Sequence, residues 1–360
     1  MSLLLRLRTL SNELIDVHIV DERLAPAGPA DTTLDARHLY AFSGLGDGHL
    51  HLAAQSIEKF VDNPDDVDEQ ALAANAARQV RAGVVAALDK GDKNGSVLTV
   101  LDIPRTHRPD LEMAGPIHRA PEGYYPGIGV EAAGAALADH AGPLEGATWF
   151  KVIGDWPRPG RGPVPSYSER ALRAAVSAAH AAGRRVAVHT MAPETPSRAV
   201  AAGVDSIEHG LFLTPEDLAA LGARGGYWVP TVVAMEEVVA HLGRDSRGGR
   251  LLQSGLDNVK TLLPAARQLG VKVLAGSDLS SSHGAIAKEA ARLVDYGLDP
   301  ADAVAAATTS VSKAIGKPHR FSPGDAGDVV CVAGDPGKDI RALGDVRLVV
   351  RMGRVVHADL

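Results

Sequence analysis

Gly44-Leu45-Gly46-Asp47-Gly48-His49-Leu50-His51-Leu52 is the stretch on which the reading of this chain turns. It is a short apolar run, broken by glycines, that ends in two histidines one residue apart. In an extended strand, residues i and i+2 point to the same side. His49 and His51 therefore present two imidazoles on one face, close enough to share a metal ion. Imidazole suits zinc, iron, copper or nickel, with zinc the commonest. Because the chain has 14 histidines in 360 residues, one such pair also arises by chance. The metal reading therefore needs further ligands at the ends of other strands.

Outward from this stretch, residues 41–317 alternate short apolar runs with alanine-rich helical stretches. Strands are expected at 41–49, 84–89, 111–117, 148–153, 186–189, 206–209, 227–233 and 273–278. Helices are expected at 68–81, 131–140, 168–182, 215–223, 251–269, 284–296 and 300–315. This alternation predicts an α/β protein with a parallel sheet and helices outside it. Eight strands point to a (β/α)8 TIM-type barrel, with the active site at the C-terminal strand ends. An open doubly wound sheet is the alternative, but no Gly-x-Gly-x-x-Gly follows an early strand. The Pro/Gly-rich segment 154–163 is expected to be an irregular loop on the active-site face.

Both ends of the chain differ from this middle. Residues 1–40 and 318–360 hold β-like runs at 3–7, 17–20, 328–332 and 346–350, with a hairpin turning at Gly353. They are expected to meet in one small β-sandwich domain flanking a barrel of residues 41–317.

Composition narrows the function classes. Hydrophobic content of 45% and charged content of 22% are ordinary for a soluble globular protein. A net charge of −7 offers no basic stripe for nucleic acid. No apolar run is long enough to span a bilayer, and the opening residues lack the pattern of a signal peptide. The single cysteine, Cys331, is expected to be a buried small hydrophobe, which fits a cytoplasmic, reducing location. The expected partners are a small-molecule substrate and further copies of the chain.

The strand ends carry the chemistry. The first ends in His49-Leu50-His51, and the fourth carries Lys151 among apolar neighbours. The fifth ends in His189, the sixth in His209 and the eighth in Asp278. Polar groups at the mouths of barrel strands converge on one point. Lysine in an apolar strand needs a reason, because it is rarely buried unless paired.

This pattern resembles the amidohydrolase superfamily. The segments Gly203-Val204-Asp205-Ser206-Ile207-Glu208-His209-Gly210, Val229-Pro230-Thr231 and Ala275-Gly276-Ser277-Asp278 resemble its imidazolonepropionase and metal-dependent Xaa-Pro dipeptidase branch. The resemblance implies two divalent metal ions, most commonly zinc. His49, His51 and Asp278 would hold the more buried ion and His189 and His209 the more exposed one. Lys151, N-carboxylated, would bridge them, since a free ammonium has no lone pair to offer. The implied activity is hydrolysis of an amide, cyclic amide or dipeptide C–N bond by a metal-bridging hydroxide, with Asp278 as proton shuttle. A ring deaminase, a lactonase and a non-catalytic assembly protein on the same scaffold are the alternatives. Candidate substrate contacts are His283, Tyr124, Tyr125 and Arg158, with Arg119 and Arg161 as further loop arginines. Two departures leave the substrate open. The second strand, Val84 to Lys90, lacks the branch's Thr-Thr and closing arginine and keeps only the aspartate, Asp89. Met191 stands where many relatives have another histidine.

Overall fold

The computed structural model describes residues 2–54, 68–278, 282–317 and 321–360. Ser280 and Ser281, and residues 318–320 at the expected start of the C-terminal segment, lie outside the described residues.

Both ends of the chain build a single seven-stranded sheet. Strand Thr32–Phe42 is its joint, parallel to Ser2–Thr9 on one side and antiparallel to Val329–Val332 on the other. Period-2 alternation sorts the side chains: Leu3, Leu5 and Leu7 pack with Val17, Ile19, Cys331, Leu348 and Val350. Cys331 is buried as expected, and burial pushes its thiol up to about 12. The hairpin between Val346–Arg351 and Arg354–Ala358 turns at Met352 and Gly353, with φ of 50° and 73°. Consecutive positive φ values match the right-handed twist of the flanking strands.

The middle of the chain is α/β with parallel strands. Leu45–Leu50, Val84–Asp89 and Asp110–Met113 form one parallel sheet. Ile117–Arg119, Trp149–Ile153, Arg185–Thr190, Ser206–His209, Tyr227–Val229 and Lys272–Val273 run parallel in a second, which ends at Val130–Glu131. Isolated bridges and backbone hydrogen bonds, such as Gly48 N to Ala275 O at 2.7 Å, link the sheets at both seams; two bridges stand out. One is a bridge between Asp92 and Pro116. The other is a bridge between Leu50 and Asp278, beside which Asp278 N donates to His49 O at 2.6 Å.

Alternation along these strands makes two layers. Ala86, Leu88, Trp149, Ala187, Val229 and Leu274 share an inner cluster with Val311, Ala314 and Ile315. Val85, Ala87, Phe150, Val152, Val186 and Val188 face the outer helices. Lys151 follows Trp149 by two residues and His189 follows Ala187 by two. Both therefore continue the inner file towards the C-terminal strand ends.

Several elements differ from expectation, for local reasons. The third strand is two pieces, Asp110–Met113 and Ile117–Arg119, broken where Gly115 at φ 75° precedes Pro116. The helix expected at 131–140 is a 3-10 segment, Gly134–His140, opened by Gly134 at φ 42°. The seventh strand stops at Val229 because Pro230 has no N–H for the ladder, and a helix runs over Val232–Leu242 instead. The eighth pairs in a ladder only at Lys272–Val273. The Pro/Gly-rich 154–163 stretch is no irregular loop: Asp155–Arg158 and Gly162–Pro165 form a two-stranded ribbon. The helix Thr195–Ala202 was not expected from sequence.

Two glycines set how closely the first and eighth strand segments approach. A Cβ on Gly48 would stand 2.7 Å from Leu274 Cβ and 3.0 Å from Ala275 O. One on Gly276 would stand 2.7 Å from His49 Cβ. Both atoms at Gly48 belong to a packed strand rather than to a flexible tip. Gly48→Ala is therefore expected to lower stability by about 1–3 kcal/mol, the usual range for overpacking, read from the urea unfolding midpoint. An unchanged midpoint would show that the two segments can part without cost.

Candidate metal centre

The first strand supplies two imidazoles and their brace. Asp47, His49 and His51 fall at i, i+2 and i+4 on one face. Asp47 Oδ1 accepts from the backbone N–H of His49 at 3.1 Å and of Ser277 at 3.0 Å, and Oδ2 accepts from Ser277 Oγ at 2.5 Å. Asp47 thus ties the first strand to the segment carrying Asp278. Burial pushes its carboxyl up to about 7 despite those donors. Asp89, at the end of the next strand, accepts from Leu52 N and Gly91 N at 2.7 Å each and fixes the turn beyond His51.

Three potential donor atoms converge. His49 Nε2 and His51 Nε2 are 3.3 Å apart. Asp278 Oδ1 lies 3.6 Å from the first and 3.5 Å from the second. The outer nitrogens are engaged elsewhere: His51 Nδ1 faces Gly91 O at 2.6 Å, and His49 Nδ1 lies 2.7 Å from Glu208 Oε2. Both rings therefore turn their Nε2 atoms inward.

A second pair stands alongside. His209 Nε2 faces His189 Nδ1 at 3.0 Å, and the His49 and His209 ring centres are 5.5 Å apart. Thr231 Oγ1 donates to Pro230 O at 2.8 Å and lies 2.6 Å from His209 Nδ1, so His209 Nδ1 is the donor to it. Nε2 of His209 is left with its lone pair. His189 Nε2 lies 3.8 Å from Asp155 Oδ1, whose other oxygen accepts from Met191 N and Ala192 N at 2.8 Å each.

Electrostatics favours neutral imidazoles. Burial lowers His49 to about 3 and His209 to about 4, and holds His189 well below the usual range. His51 differs: burial opposes its charge, but Asp278 outweighs burial and raises its pKa. Burial also opposes charge on Asp278, yet His49, His51 and His209 hold its carboxyl well below the usual range. Lys151 is buried, and burial lowers it to about 8, partly offset by Glu208. Among the described residues, its ammonium has no hydrogen bond or ion pair.

Three non-glycine residues at these strand ends have left-handed backbones: His209 at φ 63°, Thr231 at 47° and Asp278 at 53°. Such conformations cost energy and cluster at functional sites. At His209 the consequence is plain. Neighbours on a strand face opposite sides, but the turn at His209 lets both Glu208 and His209 face the centre. Glu208 Oε1 accepts from Lys90 Nζ at 3.0 Å and from Ser206 Oγ at 2.5 Å.

The loop candidates separate into two groups. Tyr124 and Tyr125 pack edge-on against Trp156, with ring centres 4.7 Å and 4.8 Å away, and Tyr124 lies 6.3 Å from His189. These rings wall the His189 side. Arg158 donates to Pro121 O at 2.9 Å and Glu122 O at 2.6 Å, pinning the tyrosine loop to the ribbon. Arg119 likewise donates to Ile128 O at 2.9 Å and pairs with Glu131 at 2.9 Å. His283 bonds Ala54 O at 2.7 Å and faces Gln79 at 3.3 Å, bracing the end of the first strand.

Glu208, Lys90, Asp155 and Trp156 were not foreseen. Glu208 sits beside His209, where simple alternation points it away. Lys90 stands among the residues that depart from the family pattern.

The amidohydrolase family profile matches residues 40–356. An uncharacterised protein of Mycobacterium tuberculosis is 30% identical over 353 residues, spanning 94% of this chain and 91% of its own length. Among solved structures, a Xaa-Pro dipeptidase with methionine bound in the active site superposes with a TM-score of 0.80 at 23% identity, over 99% of both chains. A prolidase complexed with N-methylphosphonate-L-proline gives 0.81 at 21%, over 100% of both chains. Ochratoxinase of A. niger gives 0.78 at 17%, over 99% of this chain and 96% of its own. At these identities the structural likeness is one of fold.

Proposed function

The chain belongs to the amidohydrolase family and is a hydrolytic enzyme, and from that membership we propose a binuclear metal-dependent hydrolase that cleaves an amide, cyclic amide or dipeptide C–N bond. The observation that carries this reading is the convergence of His49 Nε2, His51 Nε2 and Asp278 Oδ1 on one point, each ring braced from behind. Two imidazoles and a carboxylate are a donor set that fits a divalent cation, zinc before the others, with the cation displacing any proton that Asp278 favours on His51. The inward-facing His189 and His209 nitrogens, 3.0 Å apart, fit a second. We read the two parallel sheets as one (β/α)8 barrel over residues 41–317, with residues 1–40 and 318–360 as the small domain.

Divalent cations held there would lower the pKa of a shared water and polarise the substrate carbonyl. The chain's own groups do the rest. Asp278 stays ionised beside the imidazoles, accepts the water's proton and returns it to the leaving nitrogen as the C–N bond breaks. An acid and an amine result. Lys151 would join the ligand set as a carbamate, its neutral amine adding to carbon dioxide to form the N–C bond with release of one proton to solvent. Burial favours this, because a lysine lowered to about 8 offers more free amine near neutral pH than an exposed one. Tyr124 keeps its proton, because burial and then the charge of Asp278 raise it, so its hydroxyl is a donor available to substrate. The Tyr124–Tyr125–Trp156 wall suits an apolar group on that side, and Arg158 holds the wall in place. His283 serves the site through the first strand. No described helix is long and apolar enough to cross a membrane. With its one buried cysteine, the chain suits the cytoplasm.

The test is a panel of dipeptides, N-acyl amino acids and small lactams, assayed with zinc or manganese and after chelation. Chelator-sensitive release of free amine is expected, fastest for substrates with an apolar side chain. Turnover that survives complete metal removal would contradict the reading.

A further inference from the structure

We infer that Glu208, held in place by Lys90, is a positioning residue for the buried half of the metal centre. It orients His49 so that Nε2 meets His51 and Asp278. This inference rests on the metal-centre reading above.

Each oxygen of Glu208 lies close to a polar neighbour. Oε2 lies 2.7 Å from His49 Nδ1, while Oε1 takes Lys90 Nζ at 3.0 Å and Ser206 Oγ at 2.5 Å. Glu208 and Lys90 are fully buried and His49 nearly so. The three residues come from three different strands or strand ends, so the contact is long-range and has no role within any one element. The other imidazoles are braced differently: His51 by the carbonyl of Gly91, and His209 by the hydroxyl of Thr231. Among the described residues, the Glu208 carboxylate stands 2.7 Å behind His49, closer than Asp155, which stands 3.8 Å from His189. A carboxylate partner fixes ring orientation and raises ligand basicity more than a neutral acceptor does.

Lys90 explains why Glu208 stays behind His49 rather than entering the site as a ligand itself. Its ammonium and Ser206 hold Oε1 on the far side, and Lys90 is fixed in turn over the Trp149 ring at 4.7 Å. A buried carboxylate without this counter-charge would be costly. Breaking the pair by one substitution leaves a lone buried charge, so the informative variant removes both charges at nearly constant volume.

The experiment compares the parent enzyme with Glu208→Gln and with the double variant Lys90→Met/Glu208→Gln. Apoenzyme is titrated with Co2+ against a chromophoric chelator, and the visible spectrum of the bound Co2+ is recorded. The double variant is expected to melt cooperatively. One Co2+ site should weaken by about 10–100-fold with a shifted spectrum, and the other should keep its affinity. A double variant that folds and binds Co2+ with the parent's affinity and spectrum would overturn the inference. So would a double variant that does not fold, since the pair would then belong to stability. If the parent itself binds no Co2+, the metal-centre reading fails and this inference with it, an outcome separate from the other two.

Discussion

Lys151→Ala is expected to leave the protein folded but take the second metal and nearly all activity with it. The proposed carbamate would be the donor that both ions share. Without it, His189 and His209 have no third protein donor among the described residues. Losing one ion removes several kcal/mol of charge stabilisation in the transition state. At ~4 kcal/mol, kcat/KM falls by about 10³-fold. The fold should survive, because burial already opposes the ammonium and no described carboxylate pairs with it. In the metal-free protein its replacement therefore breaks no ion pair, and a cooperative melt of the metal-free variant is expected, while the metal-loaded parent melts higher than the loaded variant by the stabilisation the lost ion supplied. Steady-state kinetics, metal analysis and a thermal melt on the same preparation decide the matter. Full activity with both metals would remove Lys151 from the site.

Asp278→Asn should act on turnover rather than on binding. Asparagine tolerates the left-handed backbone at φ 53° about as well as aspartate, so the strand end keeps its shape. It retains an oxygen where Asp278 Oδ1 now faces His49 and His51, but it cannot accept and return a proton. Loss of a positioned acid–base group costs about 10²–10⁴ in rate. With metal kept saturating, kcat should fall by that range while KM changes little, the mark of an interaction made in the transition state. A kcat within a few-fold of the parent's would assign the proton transfer to another group.

Strand periodicity decides which parts of the site are legible in the sequence. His49 and His51 follow directly from the i, i+2 rule. Lys151 and His189 follow from continuing the inner files of Trp149 and Ala187. The meeting of the two ends of the chain was readable in their β-branched runs. Glu208 was not readable, because a strand sends neighbours to opposite faces, and only the left-handed turn at His209 brings both inward. The 155–165 ribbon was hidden by Pro157, Pro163 and Pro165. Prolines exclude a residue from a central strand, but a two-stranded ribbon has only edges. The helix expected at 131–140 failed at one residue, Gly134, whose positive φ starts a tighter turn than alanine content suggests.

Arg158 shows a different kind of limit. A loop arginine near an active site suggests a clamp for a substrate carboxylate. Here its guanidinium is engaged by the carbonyls of Pro121 and Glu122. Composition cannot distinguish these uses, because both need the same fork of donors. What the arginine secures instead is the position of Tyr124 and Tyr125 against Trp156.

The proposed chemistry needs two ions at these strand ends. Elemental analysis of the purified protein after metal loading and removal of unbound ions tests it most directly. Close to two divalent ions per chain are expected, falling to one or fewer in Lys151→Ala. A parent enzyme that holds a single ion at full activity, or none, would contradict it.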